Sequence, residues 1–339
     1  MKKILLIIFS LALLTSAFAG DVSRKGTTGA EELLIPVGAR GIATGGSFLA
    51  NITGLESIYY NPAGLDVNPR TEAMFSYVNY LADINVSYFA IGTSLGDIGS
   101  IAFDLKSFDF GDIPITTVQF PDGTGQTYSP TFLTLGFTYS KVLTDRISIG
   151  TNLKLITENI QNTSATGFAI DAGVQYRFNE TLMLAATVKN IGTNMEFSGQ
   201  NLRIRTEIPG SVPGATNGTY DIATEPFQIP SFFELSLTYR AIINDQNYLA
   251  LASAFVANNS LEDALNFGLE YGFMNSFYVR GGYNLLLENA GDNVYGFSLG
   301  AGVDYSVGGD FTVIFDYAFR DVKEFPTANH IFTVKLAFQ

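Results

Sequence analysis

From Thr71 onward, apolar and polar residues alternate with a period of two in short runs separated by turn-forming residues. That pattern marks strands whose two faces meet different surroundings. The runs lie near 71–80, 84–95, 98–108, 131–140, 145–157, 166–178, 181–189, 232–241, 247–257, 264–273, 276–285, 293–306, 310–320 and 329–339, which predicts fourteen strands. Most are close to the roughly 9–11 residues that a tilted strand needs to cross a bilayer, and the number is even, as in single-chain bacterial barrels. In the run 310–320, Phe311, Val313, Phe315, Tyr317 and Phe319 share one face, and Thr312, Asp316 and Arg320 the other. Lipid outside and water or protein inside accounts for this division. The first, second and ninth runs alternate less clearly.

The connections sort by length. Those after even-numbered runs are short, such as Asn179-Glu180 and Met274-Asn275. Those after odd-numbered runs are longer, at 109–130, 158–165, 190–231, 258–263, 286–292 and 321–328, with only the first, near Ala82, against the rule. Outer-membrane barrels sort their loops in this way and keep both termini on the periplasmic, short-turn side. The expectation is therefore an all-β fold, a 14-stranded antiparallel transmembrane outer-membrane β-barrel over residues 71–339. Its last run ends with Phe332, Val334, Leu336 and Phe338 on one face. It is similar to the C-terminal signal read by the barrel-assembly machinery, although Gln339 follows the final aromatic.

Ahead of the strands, Leu33–Leu65 is rich in Gly and Ala and shows no alternation. Gly41 to Ala50 is long enough for a short helix, and Asn61-Pro62-Ala63-Gly64 is a turn signal. Residues 20–70 are read as a lead-in, flexible over Asp21–Glu32, followed by a plug within the lumen. Residues 1–19 read as a secretory signal peptide: Lys2 and Lys3, an apolar core from Ile4 to Leu14, and an Ala17-Phe18-Ala19 cleavage site.

Composition narrows the chemistry. Charged residues make up 15% against 47% hydrophobic, yet no later stretch is apolar for the roughly 18 residues of a membrane helix. Phe and Tyr are abundant enough for interfacial girdles, while Trp is absent. Without Cys and with His330 alone, neither thiolate nor histidine metal sites nor a histidine triad can be assembled, and no cofactor or metal is expected. The net charge of -13 disfavours nucleic acid as a partner.

Val37-Gly38-Ala39-Arg40, Gly45-Gly46-Ser47-Phe48 and Ser57-Ile58-Tyr59-Tyr60-Asn61-Pro62-Ala63-Gly64-Leu65 together resemble the N-terminal signature of the PorV/PorQ family, within the wider FadL-like (OMPP1/TodX) group. The resemblance implies fourteen strands and an N-terminal hatch inside the barrel, with Gly38, Arg40, Gly45, Gly46, Asn61, Pro62, Ala63 and Gly64 as its motif. Thr53-Gly54-Leu55-Glu56 departs from the acidic pair common among relatives, which leaves the role of Glu56 open.

Gly41 to Gly46 lacks the Gly-Lys-Ser/Thr of a phosphate loop, so its glycines are read as packing residues. The strand assignments turn Asp104, Lys106, Lys154, Asp171, Arg177, Lys189, Glu234, Arg240, Glu270, Arg280, Asp304, Asp316, Arg320 and Lys335 inward. Such a near-balanced set makes either a polar pore or an ion-pair network that grips the plug, with Asp304 or Asp316 as the partner expected for Arg40. No catalytic constellation is present.

Two functions follow, neither enzymatic, both in the outer membrane of a Gram-negative-type bacterium and in contact with its lipid. The PorV/PorQ resemblance implies an accessory of type IX-like protein export, partnered by a secretion translocon or cargo proteins. The FadL-like resemblance implies passive uptake of hydrophobic small molecules. The charged lumen and the short third outer loop favour export at this point; a purely structural barrel is a third reading.

Overall fold

The computed structural model describes residues 24–338, apart from 209, 211, 213–216, 289–292, 308–310 and 324. The expected signal peptide lies outside the described residues. Fourteen long strands form the wall: β1 (Thr71–Asn79), β2 (Asn85–Ser94), β3 (Ser100–Asp109), β4 (Thr131–Thr144), β5 (Ile147–Ile160), β6 (Thr163–Arg177), β7 (Leu182–Gly192), β8 (Phe232–Asn244), β9 (Asn247–Asn258), β10 (Ala264–Phe273), β11 (Phe277–Leu286), β12 (Tyr295–Val307), β13 (Phe311–Val322) and β14 (Asn329–Phe338). Each pairs antiparallel with its sequence neighbours. The barrel closes where β1 meets β14, in register from Thr71↔Phe338 to Asn79↔His330.

Side chains alternate as the period-two pattern requires. Phe89, Ile91, Phe103, Leu153, Phe168, Leu251, Phe297 and Leu299 project outward and exposed, whereas Asp104, Lys154, Asp171, Glu270 and Asp316 are buried within. Strands β1 and β2 alternate weakly in sequence because they are apolar on both sides. Their inner residues Met74, Val78, Val86, Tyr88 and Ala90 form one core with Val37, Ala39, Ile42, Leu55 and Ile58 of the N-terminal segment.

That segment fills the lumen. It comprises a 3-10 turn (Glu31–Leu34), helix α1 (Ala39–Ala43), a second 3-10 turn (Gly54–Glu56), helix α2 (Ser57–Tyr60) and a third (Pro62–Gly64). The helix expected within 41–50 is thus a single turn starting earlier, at Ala39. Glycines with positive φ at Gly45 and Gly46 stop it.

The path of the segment runs the full length of the barrel. Asp66 sits at the short-turn end, accepting from Ser100 Oγ at 2.5 Å and from the Val142 amide at 2.8 Å. At the opposite end Arg24 donates to Asn259 Oδ1 at 2.7 Å and to Gln228 Oε1, Lys25 pairs with Glu262 at 2.8 Å, and the Gly29 amide donates to Gln228 O at 3.0 Å. Two sequence expectations are corrected here. The described part of the lead-in is a tethered strap across the long-loop mouth, not a flexible arm. The first described residues therefore lie at the end opposite to the one where β14 finishes.

A third correction concerns the wall. The connection expected at 158–165 is only Gln161-Asn162, because β5 and β6 continue as a hairpin through Ile160↔Thr163. Between β6 and β7 the register shifts around Asp171. There Asn190 has positive φ, and the Asp171 carboxylate accepts the Asn190 amide at 2.8 Å in place of a ladder bond. Lys154 secures the bulge, 2.5 Å from Asp171 and 2.8 Å from Asn190 Oδ1.

Candidate functional site

The lumen is occupied by the plug and its charged contacts in the lower half and holds a cavity in the upper half. In the lower half a chain of alternating charges begins and ends on the plug. Arg40 holds Glu270 with two hydrogen bonds, at 2.9 and 3.0 Å. Glu270 also accepts from Arg280 at 2.7 Å, Arg280 reaches Asp316 at 2.5 Å, and Lys335 bridges Asp316 at 3.1 Å and Glu56 at 3.0 Å. Glu56 closes the circuit by accepting the Gly41 amide at 2.9 Å. The partner expected for Arg40 was Asp304 or Asp316; it is Glu270 of β10, although α1 itself packs chiefly on β12 and β13, because Asp316 is already held by Arg280 and Lys335. Asp304 instead accepts from Tyr278 at 3.2 Å.

The remaining motif residues fix the plug sterically. Asn61 caps the turn that follows, accepting the Ala63 amide at 3.1 Å and donating to Leu49 O and Val174 O. Pro62 and Ala63 rest against Gly150 of the wall, where any Cβ would overlap them. On the other side a Cβ at Gly282 would overlap the Gly45 amide, so the plug is seated in glycine notches on two walls. Gly38 adopts φ +86°, and Gly64 packs against Ile52 O. Arg177 stands exposed at the short-turn mouth, and Arg240 near it stacks on Tyr248 at 3.9 Å.

Above the plug lies a cavity of about 780 Å³. Ile42, Gly46, Tyr59 and Tyr60 form its floor, Phe108, Phe132, Phe232 and Val256 its walls, and Phe110, Leu261 and Asn293 of the longer connections its rim. A concave, mainly aromatic and aliphatic space with a few polar groups is what a small-molecule site requires. Its cations are engaged. Lys189 sits 3.5 Å from Glu234 and 4.2 Å from the centre of the Tyr59 ring. Arg320 stacks on Tyr295 at 3.8 Å and, with the Asn329 amide turned to suit both neighbours, donates to it at 2.8 Å. Lys106 donates to the main-chain oxygens of Glu32 and Ile35, at 2.7 and 2.5 Å, and so caps the first plug turn.

Two carboxyls at this level have no such partners: Glu32 Oε1 and Glu158 Oε1 are both buried without a hydrogen-bond donor. They face one another across the gap between plug and wall. Burial, and then the facing Glu158 carboxylate, pushes the Glu32 carboxyl up to about 8, against the lowering pull of Lys106. The sequence gives no hint of this pair. Glu158 falls just beyond the run ending at 157, and Glu32 lies in what reads as a flexible arm.

No protein-family model and no curated protein matches the chain. Solved structures do. The monoaromatic hydrocarbon channel CymD aligns over 90% of this chain and 97% of its own, with a TM-score of 0.54 and 12% identity. The Pseudomonas putida toluene transporter TodX covers 90% and 98% with a TM-score of 0.57 and 13% identity. A Pseudomonas aeruginosa FadL homologue covers 90% and 98%, at 0.53 and 13%. The fold is that of FadL/TodX-type outer-membrane barrels. At these identities the likeness establishes architecture alone; nothing in it singles out the PorV/PorQ branch.

Proposed function

We propose that this chain is a non-enzymatic outer-membrane channel that takes up apolar small molecules through its long-loop mouth. The observation that carries the reading is the aromatic-lined cavity of about 780 Å³ between plug and wall, rimmed by the longer connections. The structural neighbours, a toluene transporter and a monoaromatic hydrocarbon channel among them, support the same class of cargo. The sequence argument against a greasy site was the charged lumen. Of those charges, Glu270, Arg280, Asp316 and Lys335 pair with one another and with the plug in the lower half, while Lys189, Glu234 and Arg320 are engaged at the edge of a cavity that is otherwise mainly aromatic and aliphatic. The export reading rests on the PorV/PorQ resemblance of the plug motif, on the charged lumen and on the short third outer connection, which is Gln161-Asn162.

The chain has no Trp, so Phe132→Trp in the cavity wall places a single fluorophore at the site. Titration of the purified barrel in zwitterionic nanodiscs with butylbenzene is expected to give a saturable change in emission. A non-saturable response, together with co-purification of a secretion complex, would sink uptake in favour of export.

A further inference from the structure

The structural neighbours are channels for toluene and monoaromatic hydrocarbons, but the cavity here is not uniformly apolar. Its lining carries Glu31, Glu32, Glu158 and Glu234 against Lys189 and Arg320. Glu31 accepts from Thr28 at 2.7 Å, and Glu234 accepts from Thr187 at 3.1 Å and faces Lys189. The unpartnered polar atoms among the described lining residues are the Tyr60 hydroxyl and one carboxyl oxygen each of Glu32 and Glu158, and the two glutamates are only 5% and 4% exposed. Two buried carboxyls are acceptors when ionised, and close together they cannot both ionise without a cation or a shared proton.

We infer that the cavity is built for an apolar molecule ending in an amine, held between the Glu32 and Glu158 carboxyls, and that it disfavours fatty-acid carboxylates. This rests on the uptake reading, of which it names the substrate class. An ammonium brings three donors and a positive charge, enough to serve both carboxyls at once, whereas a hydroxyl brings one donor and no charge. The aromatic walls take the apolar body. A carboxylate ligand would meet two further carboxyls and no disengaged cation among the described residues that line the cavity.

The charged groups facing Glu32 are Glu158 of β5 and the Lys106 ammonium of β3. With one proton resident on the pair near neutral pH, arrival of an ammonium expels that proton. Binding of the amine, but not of the alcohol, therefore releases protons and strengthens between pH 6.5 and 8.5. The ligand itself stays charged throughout, since alkylammonium groups titrate near about 10.4.

The experiment uses the Phe132→Trp barrel and a matched series: 4-phenylbutylamine, 4-phenylbutanol, butylbenzene and 4-phenylbutanoate. The expected result is an amine at least tenfold tighter than the other three, with proton release seen by an indicator dye. In the Glu32→Gln/Glu158→Gln variant the preference should fall to within about twofold. Phenylbutanoate or butylbenzene binding as tightly as the amine overturns the inference and leaves the uptake reading standing. Failure of all four to bind overturns both. Should the double variant not fold, the ligand order and proton release on intact carboxyls decide the matter.

Discussion

Lys335 of β14 stands 3.0 Å from Glu56 of the plug, and through Asp316, Arg280 and Glu270 it is linked back to Arg40 on the same plug. Every member is buried or nearly so. Removing one partner of such a set leaves an uncompensated charge, at a cost of about 3–5 kcal/mol. Lys335→Met should lower stability by that order, measured by urea unfolding in detergent. Adding Glu56→Gln should recover part of the loss. A double variant whose loss equals the sum of the single losses would show that the two residues are not coupled.

The glycine notches make a separate prediction. Gly150→Val would drive a side chain into Pro62 and Ala63, and Gly282→Val into Gly45. Neither touches the lipid-facing band, so both variants should still show heat-modifiable migration as barrels. Their plugs should be unseated, which planar-bilayer recording would register as new conductance steps. Unchanged currents would mean that the plug tolerates the intrusion.

The raised Glu32 carboxyl sets a pH dependence whose sign is fixed. In the folded chain it holds a proton that the unfolded chain has lost, between its ordinary 4.5 and about 8. The docked plug turn is therefore most stable below about 4.5 and loses that stability as pH rises through about 8. Hydrogen-exchange protection over residues 31–37, corrected for the intrinsic rate at each pH, should fall across this window, and Glu32→Gln should flatten the response.

The strap across the mouth is testable because the chain has no Cys. Thr28 and Gln228 form a parallel bridge, so Thr28→Cys/Gln228→Cys should close a disulfide under oxidation. If ligand enters past the strap, oxidation slows the on-rate of butylbenzene several-fold and reductant restores it. An on-rate indifferent to redox state would place the entrance elsewhere.

The wall was legible because alternation is a local property. Each strand records lipid on one side, and pairing with neighbours adds little that the pattern lacks. Contacts of the plug are not local in this sense. Arg40 announces a need for a carboxylate, but which one depends on how the other charges pair: Asp316 is taken by Arg280 and Lys335, which leaves Glu270 for Arg40. The β5–β6 hairpin was mistaken for a loop because Thr163, Ser164 and Thr166 are polar or small and blur the alternation. Glu32 and Glu158 were missed because two residues 126 positions apart in sequence become neighbours only when the strap is laid across the mouth.

The course of the plug from one mouth to the other bears on how the molecule is made. The seam between β1 and β14 joins the first wall strand to the last, so it can form only when the final residues have arrived. By then the segment ahead of β1 must already lie along the axis, with Arg24 and Lys25 at the far opening. Threading it through a finished cylinder from the short-turn mouth would drag Arg24 and Lys25 past the aromatic lining of the upper cavity. Assembly thus has to pack the contents before sealing the container, and a reporter fused just ahead of Arg24 would emerge on the side of the long loops.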